Sequence, residues 1–188
     1  MKYMQDGGFQ NHPLMRLTVG LTLALLLAFW VTNLGIYFSR MDLRPSSVVA
    51  YYNGSEEDFR APRSAASMIE TAHTHLPMMG IVLLFLTHLA VFTPLPRNAK
   101  VGLVVATFVS AVLEEGAGFL VRFVSPSFAP LKVAGFLGLQ ASILFLLGAL
   151  GVFLLRAARR QVPVPPEGDL ERRAADLVEE GSVHSVLE

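Results

Sequence analysis

The run LTVGLTLALLLAFWVTNLGIYF, Leu17 to Phe38, decides the fold. It holds no charged side chain: 23 uncharged residues separate Arg16 from Arg40, and another 23 separate Lys132 from Arg156. At 1.5 Å per residue either run reaches about 34 Å, enough to cross a hydrocarbon core of roughly 30 Å. The stretch is too long for the apolar region of a signal peptide, and no small-x-small cleavage pattern follows it directly. It reads as a retained membrane helix, with Trp30 and Tyr37 as interfacial anchors.

The composition agrees with that reading. The 188 residues are 53% hydrophobic and 16% charged, against about 25% charged in soluble domains, so a soluble enzyme is excluded. Cysteine is absent, which removes disulfides, cysteine-bound zinc, iron–sulfur clusters and covalent CxxCH haem. Fifteen basic and fifteen acidic residues balance, and nothing points to nucleic acid as a partner.

Outward from Leu17–Phe38, three more spans follow. SRMDLRPSSVVAYYNGSEEDFRAPRSAA (39–66) is an aqueous loop with a short extended piece at VVAYY. The second helix starts near Ser67, where Ser67-x-x-Glu70 matches a capping box. TPLPRNAK (93–100) and SPSFAP (125–130) are tight turns. The expected fold is an all-α integral membrane bundle of four antiparallel helices. Its spans lie at about 17–38, 68–92, 101–124 and 132–156 within a domain covering residues 1–160. Residues 161–188 form a proline-led tail with two arginines against seven carboxylates.

Four spans place both termini on one side with Lys2, Arg16, Arg97, Lys100, Arg156, Arg159 and Arg160. Arg40, Arg44, Arg60, Arg63, Arg122 and Lys132 fall on the other side, a nearly even split. The compact Arg156–Arg160 cluster and the acidic Glu56-Glu57-Asp58 favour cytoplasmic termini in a bacterial inner membrane.

Ionisable residues within lipid depth cost about 2.5–3.5 kcal/mol each on insertion scales, and they face a bundle interior or a wet cavity. Span two carries Glu70, His73, His75 and His88. His73 and His88 are fifteen residues apart, hence on one face and about 22 Å apart, with Gly80 between them. His75 points elsewhere, although Pro77 could swing it towards the same cavity. An imidazole near each membrane face with a glycine between suits axial ligation of b-type haem. The spacing resembles that of membrane b-type cytochromes in general, over one helix of about 25 residues. The other spans hold no histidine, so bis-histidine ligation needs a homodimer, a partner subunit, or Met78 or Met79 as the second ligand.

Span three carries Glu114 and Glu115, then Arg122, at the depth of Asn33, Glu70, His73 and His75. These seven side chains are expected to share one polar layer. Glu70-x-x-His73 is half of a di-iron pattern whose second half is missing. A single metal ion held by His73, His75, Glu70, Glu114 and Glu115 is a further reading, and a proton path through Glu114, Glu115 and Arg122 needs no metal. Plainer alternatives are histidines hydrogen-bonded at the headgroups and glutamates paired between subunits. Gly135-x-x-Gly138 and Gly148-x-x-Gly151 read as helix-packing positions.

The leading expectation is a non-catalytic membrane subunit of an electron-transfer or respiratory assembly. It would bind b-type haem or another metal through His73, His75 and His88, with the bilayer and other membrane subunits or a second copy as partners. Two rivals stand beside it: a proton- or ion-conducting element using the buried glutamates, and a cofactor-free scaffold subunit.

Overall fold

The computed structural model describes residues 12–57 and 59–159. The acidic tail at 161–188 lies outside them. In chain order the elements are α1 (Pro13–Arg40), α2 (Pro45–Asn53), α3 (Ala65–Ala90), α4 (Arg97–Phe123), a 3-10 turn (Pro126–Phe128) and α5 (Ala129–Arg159). α1, α3, α4 and the segment from Pro126 through α5 are each long and apolar enough to cross a membrane. The molecule is an all-α, four-helix antiparallel membrane bundle.

Local chemistry sets the helix ends. α1 begins on Pro13, whose fixed φ suits a first helical position. Ser64 caps α3, its hydroxyl accepting from the Ser67 amide at 3.2 Å. The helix therefore starts a turn earlier than the capping-box match at Ser67 suggests. Pro77 lies inside α3 without ending it; membrane helices tolerate proline where neighbouring groups or local adjustments of the helix re-satisfy the freed carbonyl. Pro96 and Pro126 precede α4 and α5 across tight turns.

The stretch expected to be extended at VVAYY is instead part of the nine-residue helix α2. Its β-branched and aromatic side chains favour strands by propensity, but packing wins. Pro45 starts the helix, Val48 is fully buried, and Tyr52, four residues on, enters the bundle beside it.

α5 is the central helix, with buried residues from Ala129 to Leu154. α4 lies closest to it. A Cβ on Gly135 would stand 2.6 Å from the Glu114 amide nitrogen, and one on Gly138 would stand 2.5 Å from Ser110 Oγ. α1 and α3 each pack on α5 while scarcely touching one another. Leu83, Leu86, Leu146 and Leu150 fill the core of the half that holds the chain ends. Tyr37, Val48, Tyr52, Met68 and Phe136 fill the loop-side half. Lipid tails are as apolar as leucine, so close packing rather than escape from water holds these helices together. That packing leaves a cleft between α1 and α3 on the loop side.

Candidate functional site: a charged cavity at the loop side of the bundle

α4 runs towards the loop side, and Glu114 and Glu115 lie on it about 14 Å from its end. Adjacent residues on a helix point about 100° apart, so the two carboxylates take different partners. Glu114 turns towards α5. Lys132 Nζ donates to Glu114 Oε1 at 2.5 Å and also to the Glu114 main-chain oxygen at 2.5 Å. The Lys132 side chain is 6% exposed and that of Glu114 17%, so the ammonium is buried while the carboxylate borders the cavity. Glu115 turns towards α3, with its Oε2 3.6 Å from His75 Nδ1. His75 is 57% exposed, so the pair has one half-buried partner and one that meets the surroundings.

Both pairs line one cavity of about 90 Å³, together with Asn33 and Tyr37 from α1 and Tyr51 and Tyr52 from α2. Arg40 and Arg63 also line it, next to the segments that lead into and out of α2. A buried water needs about 10–15 Å³ measured this way, so the cavity takes a handful of waters and no macrocycle. Its inner wall includes the Phe136 ring, stacked on Tyr37 with centroids 3.6 Å apart and planes 11° from parallel.

The position of Tyr52 explains a glycine. A Cβ at Gly118 would meet the Tyr52 hydroxyl at 2.6 Å, so only glycine there lets the phenol reach the α4 backbone. Lys132 Nζ lies 6.0 Å from the centre of the same ring. Burial pushes the Tyr52 hydroxyl above its ordinary pKa, with the Lys132 ammonium acting in the opposite sense.

Of the expected polar layer, the cavity gathers Asn33, His75, Glu114 and Glu115. Glu70, His73 and Arg122 are elsewhere. Glu70 and His73 are exposed on the outside of α3. Arg122 Nε donates to the Arg63 carbonyl at 2.9 Å, and its guanidinium lies over Phe123. His88 is exposed too, its ring edge-on to Phe92. The three α3 histidines therefore do not converge within one chain. Among the described residues no three of His, Asp and Glu gather as a metal-holding group. The donor set proposed for a single ion is split between the cavity and the outer face of α3.

Lys132 is the residue that the sequence reading misplaced, as a flanking charge on the loop side. α5 begins at Ala129 rather than 132, and that extra turn carries the lysine inside. The near-match of Lys132 to the depth of Glu114 was available once the SPSFAP turn was read as helical from its final proline.

Residues 42–161, more than half of the chain, match the family described as Aq_1264_TM, a transmembrane helical domain. The chain belongs to that family. The matched stretch spans α2 to α5 and so includes every cavity element but α1. No curated protein and no solved structure matches the chain.

Proposed function

We propose that the chain is a proton-handling subunit of a larger membrane assembly, and that its working part is the loop-side cavity. One observation carries this reading: two acid–base pairs, His75–Glu115 and Lys132–Glu114, line the same water-sized space. The pairs divide the work. Lys132, itself buried, holds Glu114 in a charge pair across α4 and α5. Glu115 faces an imidazole with open access, and imidazole is the side chain whose protonation changes near neutral pH. Protons enter from the loop side through His75. Leu83, Leu86, Leu146 and Leu150, all fully buried, fill the half beyond, so a full crossing requires a partner subunit. A cytoplasmic placement of both chain ends, in a bacterial inner membrane, goes with this reading; the compact Arg156 and Arg159 at the end of α5 favour that orientation.

The test is proton uptake by the full chain in lipid vesicles or nanodiscs after a pH step. Glu115→Gln and His75→Gln should each abolish an uptake component that the wild type shows. Uptake unchanged in both variants would remove the proposal.

A second reading has its own observation. His73 and His88 lie exposed along one outward side of α3, and nothing stands within 4 Å of a Cβ added to Gly80 between them. That arrangement suits a b-type haem held between two chains, or between this chain and a partner subunit, in an electron-transfer assembly. Haem would supply a one-electron redox centre. Because His73 and His88 lie about 22 Å apart along α3, each imidazole would help to hold a separate haem together with the partner chain, and the bare backbone at Gly80 would leave room for a flat ring. A Soret band in the purified complex that His73→Ala and His88→Ala abolish would support it. A complex without such a band would leave the proton reading, and one lacking uptake as well would be a scaffold.

A further inference from the structure

Gln140 is anomalous. It lies on α5 about 16 Å from the start of the helix, in the middle of the bilayer, and it is 95% buried at 5% relative exposure. Neither its side-chain oxygen nor its side-chain nitrogen has a partner, and both atoms are inaccessible. The neighbouring buried hydroxyls differ. Thr87 bonds the Leu83 carbonyl at 2.6 Å and Thr107 the Leu103 carbonyl at 2.7 Å, each within its own helix. The Trp30 indole is spoken for as well, since Nε1 donates to the main-chain oxygen of Gln140 at 3.1 Å. An amide offers two donors and two acceptor lone pairs, and leaving all of them unmade in a medium without water is among the costliest arrangements a bundle can hold.

We propose that the Gln140 amide binds internal water at mid-membrane, as an inner polar station beneath the loop-side cavity. The placement follows the helix. Lys132, Phe136 and Gln140 succeed one another at four-residue steps, so Gln140 lies one turn inward of Phe136 and about 12 Å inward of Lys132. Phe136, stacked on Tyr37, stands between the two as a seal. Water reaches Gln140 when that stack parts, and is held there by a hydrogen bond donated by the amide nitrogen and one accepted by the amide oxygen. The inference does not depend on the cavity taking up protons, because it concerns only hydration at Gln140.

The experiment is a high-resolution structure of the full chain in a lipid nanodisc, for wild type and Gln140→Met, with thermal unfolding of both. An ordered solvent peak within hydrogen-bond reach of the wild-type amide, lost in the variant, is expected, with a melting temperature unchanged or lowered. Methionine nearly matches glutamine in volume, so the variant should fold. A dry wild-type amide would overturn the proposal. So would a raised melting temperature in Gln140→Met, the signature of removing an unpaired polar group. Proton uptake at Glu115 should be the same in wild type and Gln140→Met, so the two readings fail separately.

Discussion

Lys132 is buried in the bundle with Glu114 as its charged partner, so the pair is sensitive to losing either side chain. Removing one partner of a buried ion pair costs about 3–5 kcal/mol, whereas replacing both with apolar groups is often neutral or stabilising. Lys132→Met should therefore lower unfolding stability by about that amount, and Lys132→Met with Glu114→Leu should recover most of it; denaturant unfolding in detergent measures both. Tyr52, in α2, gives a pH prediction. Its hydroxyl titrates above the ordinary tyrosine value because of burial, so the folded state holds that proton more tightly than the unfolded one. Its contribution is intact below about pH 10 and is lost as pH rises through the folded value. An ultraviolet titration should show a late-titrating tyrosine component whose amplitude falls by one residue in Tyr52→Phe. At this scale the glutamates stood out in the sequence because intramembrane carboxylates are rare. His75 stood out beside them, whereas Lys132 did not, because its place against Glu114 depends on helix rotation and on a one-turn shift in the start of α5.

Among the elements, α4 and α5 form the tightest contact, and their glycines divide into two kinds. Gly135 and Gly138 touch α4, whereas a Cβ at Gly148 or Gly151 meets nothing within 4 Å. The sequence pattern made the two pairs look alike, since small-x-x-small spacing marks close approach without saying which pair is used. Gly135→Ala should destabilise by about 1–3 kcal/mol, because the Glu114 backbone cannot give way as a side chain could. Gly148→Ala should stay within about 0.5 kcal/mol of wild type in the same unfolding assay. α2 was invisible to pattern for a related reason. Nine residues with a strand-like composition become helical only because α4 and α5 offer Val48 and Tyr52 a place to bury.

For the whole molecule, four spans were legible from charge-free runs alone, since a bilayer imposes length and satisfied backbones on whatever crosses it. The orientation of each span about its own axis was not. In water an amphipathic stripe reveals the inward face, but lipid rewards apolar residues on the outside as well, so His73 and His88 could be read as interior and are found exposed. The bundle places residues 41–57 and 59–64 on one membrane face and the turn at 91–96 on the other. Because the chain has no cysteine, single cysteines at Ser55 and Asn98 should react with an impermeant maleimide from opposite sides of a sealed vesicle. Reaction of both from one side would contradict the antiparallel topology. The account as a whole rests on Glu115 exchanging a proton with water through His75. Infrared difference spectroscopy of the reconstituted chain across a pH step tests this most directly. Across a step through neutral pH, the His75 ring bands and the Glu115 carboxylate band should shift together in wild type and in Glu114→Gln, and Glu115→Gln should lose the carboxylate shift and alter the ring bands. Ring and carboxylate bands that respond to pH identically in wild type and Glu115→Gln would contradict it.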